Sequence, residues 1–198
     1  MIVHIITGLS RGGAENALYR LISQEDDPAC VRVVSLTDEG IFGERLRALG
    51  VDVTCLCLHP RLPSPVKFLQ LVYLLRQWRP QLVQTWMYHA DLVGGLAGLV
   101  AGIPVCWQHN KAARRFIIRI GAFASRWGPA RIICCSQRAV EVHRALGYAA
   151  PFAVVPNGLD VSAWSPRPEL RVATRAQLGV PEEGFLFAHA GRADPQKD

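Results

Sequence analysis

The chain has 198 residues, 50% of them hydrophobic, and a formal net charge of +6 from 22 basic and 16 acidic residues. That length supports a substantial core in one large or two small domains, and the ordinary apolar content excludes a disordered chain. The charge is uneven: between Asp52 and Glu141 the only acid is Asp91, against eleven Lys and Arg. Such a block suits an anionic partner (phosphate, an acidic lipid surface or nucleic acid) or is simply a solvated basic face.

Short apolar runs alternate with helix-period patterns from the first residue. Residues 2–6 predict a strand and 13–24 a helix with Ala17, Leu18, Leu21 and Ile22 on one face. A strand at 31–36, a helix at 42–49 and a strand at 51–57 follow. A Pro-rich loop (Pro60, Pro63, Pro65) leads into a helix at 66–78, a strand at 82–85 and a Gly/Ala-rich helix at 90–100. Strand 105–108, helix 112–127, strand 132–135, helix 137–146 and strand 152–155 continue the rhythm. Short apolar strands spaced by helices predict an α/β fold, a Rossmann-like doubly wound parallel sheet covered on both faces. Pro156-Asn157-Gly158 is a turn signal and Ser165-Pro166-Arg167-Pro168 a stiff linker, so the domain boundaries expected are 1–155, a linker at 156–168, and 169–198 as the start of a second lobe. That start reads as a helix at 169–178 and a strand at 185–190.

Six Cys residues stand at 30, 55, 57, 106, 134 and 135, without a C-x-x-C pair or zinc-ligand spacing. They read as buried free thiols in a reducing compartment. The first residues, Met1-Ile2-Val3-His4-Ile5-Ile6, lack a charged region and cleavage site and read as a strand, not a signal peptide. The apolar uncharged stretch 92–107 holds four Gly and Pro104 and is too short and too punctuated to span a bilayer. The expected location is the cytoplasm, with peripheral attachment to the inner face of the cell membrane left open.

In a doubly wound sheet, ligands bind beyond the carboxyl ends of the strands, where the strand order reverses. The first such loop, Thr7-Gly8-Leu9-Ser10-Arg11-Gly12-Gly13-Ala14-Glu15, fits neither a dinucleotide fingerprint nor a P-loop. It remains a Gly-rich turn whose helix N-terminus presents amides to an anion, with Gly12 and Gly13 permitting close approach, or a turn with no ligand. The fourth strand exits into Thr85-Trp86-Met87-Tyr88-His89-Ala90-Asp91 and the fifth into Trp107-Gln108-His109-Asn110. Their two His residues suit a shared cleft, although either alone can be structural. Near the chain's end, Gly191-Arg192-Ala193-Asp194-Pro195-Gln196-Lys197 combines an Arg fork with a Lys point charge, as a diphosphate site would. In the predicted helix 112–127, Phe116, Ile120, Phe123 and Trp127 share a stripe beside Arg115, Arg119 and Arg126. That pattern suits a core helix with solvated arginines, or an interfacial helix dipping into an anionic membrane.

Taken in order, G-x-S-x-G-G-A-E at 8–15, T-W-x-x-H-A-D at 85–91, Q-H-N at 108–110, P-N-G-L-D at 156–160 and G-R-x-x-P-x-K at 191–197 resemble the family 4 (group 1) retaining glycosyltransferases. Each piece is weak alone; five in order across the whole chain are specific. The resemblance implies a GT-B fold of two Rossmann-like lobes, with the acceptor bound by the N-terminal lobe and a nucleotide-sugar donor by the C-terminal one. It implies that Gly12, Gly13, Arg192 and Lys197 bind the donor diphosphate and that His109 is catalytic, contacting the donor sugar. His89, Asp91 and Asn110 would shape the acceptor side, and Arg115, Arg119 and Arg126 are the membrane-facing candidates. Arg and Lys would offset the charge on the departing diphosphate, so no metal or other cofactor is expected.

The implied acceptor is a carbohydrate or lipid-linked molecule, with an anionic membrane surface and a further C-terminal lobe as other partners. Nucleic acid is not expected, since its motifs and interleaved exposed aromatics are lacking. The chain departs from the family at its end: the acidic pair E-x7-E is not within these residues, so transfer by this chain alone is not expected. The alternatives are a non-catalytic Rossmann module binding anions or membrane surfaces, and a nucleotide-sugar 2-epimerase-like GT-B protein.

Overall fold

A computed structural model describes residues 1–59, 64–109, 115–159, 161–162 and 165–188, with the side chains of His109 and Arg115 outside that description. The described elements are β1 (Ile2–Ile6), α1 (Gly13–Ile22), β2 (Val31–Ser35), α2 (Gly40–Ala48), β3 (Asp52–Cys55), α3 (Pro65–Trp78), β4 (Leu82–Trp86), α4 (Tyr88–Ala101), β5 (Val105–His109), α5 (Arg115–Ala124), β6 (Arg131–Cys134), α6 (Gln137–Ala145), β7 (Phe152–Val154) and α7 (Pro168–Gln177). Local chemistry sets several boundaries. Ser64 caps α3, accepting from Lys67 N at 3.3 Å with Pro65 in the first turn. Ser136 caps α6 through Ala139 N at 3.2 Å, and Gly102 ends α4 in the left-handed conformation, φ 73°.

The seven strands form one parallel sheet in the order β3-β2-β1-β4-β5-β6-β7. The order reverses between β1 and β4, which makes their carboxyl ends the switch point of the fold. Alternation along the strands divides two cores. Ile6, Val33, Val53 and Trp86 pack with Leu18 and Ile22 of α1 and Phe42 and Leu46 of α2. Val3, Ile5, Val83, Val105 and Trp107 point the other way and pack with α3, α4, α5 and α6. Both faces are apolar because both are covered, as the runs of Val and Ile require.

The chain divides into two compact units, Met1–Gly158 and Leu159–Asp198. In the second, Arg175 is buried against the turn after α7, donating from Nε to Pro181 O at 3.1 Å and from Nη2 to Gly184 O.

Three expectations are corrected. The inward face of α1 is Ala14, Leu18 and Ile22, one residue in four, while Leu21 is exposed. Residues 185–188 form no strand, with no described neighbour to pair them, and Phe185 and Phe187 are exposed; 189–190 lie outside the described residues. The thiols are free, but Cys134 alone is buried. Cys30 closes a single 3-10 turn (Pro28–Cys30), and Cys57 lies past β3 at φ 50°, so neither is held inside the sheet. Among the described residues no helix is long and apolar enough to cross a membrane.

Candidate functional site

The loop leaving β1 is braced by the loop leaving β2. Thr37 donates to Thr7 O from its amide at 2.9 Å and from its hydroxyl at 2.7 Å, and Ser10 Oγ donates to Asp38 Oδ1 at 2.8 Å. The packing is close enough that a Cβ at Gly8 would collide with the Asp38 carboxylate. One at Gly40, where φ is +43°, would collide with the Leu9 backbone. Thr37 and Asp38 therefore hold the shape of the Gly-rich loop; a contact across two separate loops leaves no local pattern to read.

Gly12 is extended and precedes the first turn of α1. The Glu15 carboxylate folds against it where a Cβ would sit, whereas nothing lies within 4 Å of a Cβ at Gly13, which is exposed. Of the two glycines expected to admit an anion, Gly13 is the open one. The free amides of the first helical turn give it the right polarity.

The β4 exit turns sharply at Met87, a non-glycine residue at φ 74° and ψ 152°. Such a conformation costs about 1–3 kcal/mol and needs support from its surroundings. Support comes from Asp91 N, which donates to Met87 O at 2.9 Å, and from Met87 N, which reaches Gln108 O at 3.4 Å. The turn leaves His89 exposed and carries Asp91 inside, at 1% exposure.

Asp91 Oδ1 accepts from Thr85 Oγ1 at 2.6 Å. The expectation that Asp91 shapes an acceptor surface therefore meets a buried carboxylate tying α4 to β4. A charged group this deep needs such a partner. Around it lie Tyr88, His143 and Tyr148. His143 Nδ1 donates to Ala139 O at 2.7 Å, and its Nε2 shares a 2.8 Å hydrogen bond with Tyr88 Oη. Burial, then nearby negative charge, pushes the Tyr88 and Tyr148 phenols well above their usual range. This set joins α4 to α6 beneath the strand ends.

At the next strand, Gln84 Nε2 donates to Gln108 Oε1 at 3.0 Å, and the His109 backbone ends β5 opposite Cys134. On the α1 side of the sheet, Trp86 Nε1 donates to His4 Nδ1 at 3.2 Å, and burial lowers His4 to about 4, holding it neutral. The structure thus brings the Gly13 amide end, His89 and the His109 backbone to neighbouring strand ends, β1, β4 and β5. Asn110, Arg192 and Lys197, with the side chains of His109 and Arg115, lie outside the described residues.

The aromatic stripe of α5 faces outward: Phe116 is 73%, Phe123 61% and Trp127 67% exposed. The core reading is overturned for this stripe because Ile118 and Ala122 occupy the inward face, and Gly121 lets the Tyr148 hydroxyl come close. Phe116, Arg119, Ile120 and Phe123 line an open groove of about 450 Å³.

Comparison with known proteins gives a consistent frame. The family model for Glycosyltransferase Family 4 matches residues 11–163. The chain is 27% identical over 192 residues to the Escherichia coli UDP-Gal:alpha-D-GlcNAc-diphosphoundecaprenol alpha-1,3-galactosyltransferase, covering 90% of this chain and 46% of that protein. In fold it is similar to Anabaena Alr3699/HepE, crystallised with UDP and glucose, at a TM-score of 0.74 and 21% identity, covering 90% of this chain and 50% of that one. A Rickettsia africae glycosyltransferase is similar at a TM-score of 0.63 and 12% identity, with 92% and 50% covered. The chain spans about half the length of these relatives.

Proposed function

The chain belongs to Glycosyltransferase Family 4, and from that premise we propose that it is the acceptor-binding half of a retaining glycosyltransferase. In this reading a sugar passes from a nucleotide-sugar donor to a carbohydrate or lipid-linked acceptor. The observation that carries it is the switch point. The open Gly13 amide end after β1 and the exposed His89 after β4 stand on either side of it, as a phosphate site and an acceptor rim would. The relatives support the chemistry: one is named for transfer from UDP-galactose to a diphosphoundecaprenol-linked GlcNAc, and another is crystallised with UDP and glucose. We take the acceptor to be a sugar on a polyprenyl diphosphate, met from the cytoplasm by a protein peripheral to the inner face of the membrane.

Breaking the glycosyl–phosphate bond leaves charge on the departing diphosphate. Arg192, Lys197 and the Gly12-Gly13 amides stabilise it, so the reaction proceeds without a metal. His109 contacts the donor sugar. Asn110 joins His89 on the acceptor side, and a second lobe holds the donor's sugar and ribose, so the 198-residue chain alone does not transfer.

The test compares ligands. A short-chain prenyl-diphospho-GlcNAc binds the 198-residue chain more tightly than UDP-galactose does; His89→Ala weakens binding of the former and Gly13→Asp that of the latter. Preference for the nucleotide sugar, or robust transfer by the chain alone, overturns the assignment. In a polypeptide carrying both lobes, His109→Ala lowers turnover about 100-fold or more, and EDTA leaves it unchanged.

A further inference from the structure

The one acid of the long basic block is buried. Because Asp91 lies inside, the surface built from residues 53–140 presents no carboxylate to solvent. On that surface α4 lies between α3 and α5 and packs against both. All three leave large apolar side chains open: Leu69 and Tyr73 on α3, Leu96 and Val100 on α4, and Phe116 and Phe123 on α5. The cations among them stay at the surface. Arg76 crosses from α3 to donate to Val100 O at 2.9 Å, Arg119 and Arg126 are exposed, and the Arg126 guanidinium stands 5.9 Å from the Phe123 ring.

We propose that this three-helix face, not α5 alone, seats on an anionic lipid bilayer. Helices packed side by side on one sheet lie about 8–10 Å apart, so three present a broad apolar band. A face that stays in water would intersperse Asp and Glu among its Lys and Arg. This one pairs apolar breadth with cations and excludes acids, which is the composition of a surface lying at a headgroup boundary. An apolar patch of that extent on a soluble lobe marks an interaction surface. Because α4 follows directly from the β4 exit and α5 from the loop after β5, the N-terminal ends of this face adjoin the candidate site. The proposal rests on the glycosyltransferase reading only for its purpose, delivery of a lipid-linked acceptor to that edge.

The test is co-sedimentation of the 198-residue chain with vesicles of phosphatidylcholine alone or with about 30% phosphatidylglycerol added, an anionic surface of the kind that attracts basic segments. Binding is expected with phosphatidylglycerol only. Arg119→Gln with Arg126→Gln weakens it about 25-fold, at roughly fivefold per charge. Leu69→Glu with Tyr73→Glu on α3 weakens it about tenfold or more, although both residues are remote from α5 in sequence.

These side chains are exposed, and unchanged circular dichroism confirms that each variant folds. Binding that survives the α3 pair but not the arginine pair overturns the three-helix face in favour of α5 alone. Binding untouched by both overturns the proposal, as does a dimer by light scattering that dissociates with the α3 pair, which makes the face an interface between copies. Vesicle binding needs no sugar donor, so a chain that binds vesicles yet prefers UDP-galactose defeats the function and leaves the surface standing.

Discussion

On one side of the sheet, α1 and α2 bury Leu18, Ile22, Phe42 and Leu46 and leave Leu21 and Ile41 as their most open large apolar side chains, at 43% and 42%. On the other side, α3 and α5 bury an equally complete inner row, yet Val66 and Phe116 stand 74% and 73% exposed. The outer surfaces differ in charge as well. Around α2, Glu39 forms a two-point pair with Arg47 at 2.7 Å, and Arg45 lies over Tyr19 at 4.2 Å. Across α3, α4 and α5 no acid reaches the surface. Both sides satisfy the same requirement, an apolar inner face against a parallel sheet. The extra apolar side chains of the second side stand largely outside the core, and the proposed bilayer face is built from them.

That contrast can be broken in a stability experiment. Leu18→Ala should cost about 3 kcal/mol in urea unfolding, as truncation of a buried leucine does, whereas Leu69→Ala should stay within about 0.5 kcal/mol. A loss at Leu69 matching that at Leu18 would show that α3's outer stripe is covered in the folded chain.

The α1 side carries a buried histidine whose titration should appear in the stability profile. On the α1 side, His4 remains neutral when folded down to about pH 4, while in the unfolded chain it takes up a proton near 6.5. Between those values the unfolded state binds more protons, so stability is full above 6.5 and falls as pH drops to about 4. The loss should be about 3 kcal/mol, and should flatten in His4→Gln, which can still accept from Trp86. A pH profile equally steep in the variant would assign the titration elsewhere.

On the α4 side the buried Asp91 carboxylate is tied to Thr85. Asp91→Ala should cost about 1–2 kcal/mol by removing the nearer acceptor of Thr85 Oγ1, which keeps Cys106 O at 3.3 Å, and Asp91→Asn less, because the amide oxygen still accepts. Urea unfolding of the two variants should separate them. Equal losses would mean that charge, not the hydrogen bond, is what Asp91 supplies.

The smallest effect lies at the surface pair on α2. Glu39, held below the ordinary glutamate range by its hydrogen bonds to Arg47, should return toward that range in Arg47→Gln. Its stabilising effect is present above the unfolded-state value and is lost as pH falls through the lowered one. Carboxyl chemical shifts followed through a titration would detect the change; no movement in the variant would show that the guanidinium is not the cause.

Much of the architecture was readable because periodicity is local. Strand 2–6 matches β1, and the expected 82–85 differs from β4 by one residue. The helix at 66–78 was found one residue short of the Pro65 that opens α3. The Gly-rich loop was located for the same reason: glycines at a strand-to-helix turn announce themselves. What stood beside the loop did not. Asp38 reaches Ser10 across 28 positions, and Glu15 closes over Gly12, so openness fell to Gly13. Asp91 and His89 come from one motif two residues apart, yet the strained turn at Met87 sends the first inside and leaves the second at the surface.

The sequence by itself determined that this is a doubly wound α/β chain, that its loops carry a family's motifs in order, and that its middle is basic. Those properties reside in spacing and composition, which need no partner in space. Only the tertiary structure decided that the single acid of that middle is buried and that the α5 stripe faces solvent. An amphipathic pattern states that a helix has an apolar side. Whether that side meets the sheet depends on which of its rows, here Ile118 and Ala122, fits against the neighbouring helices first.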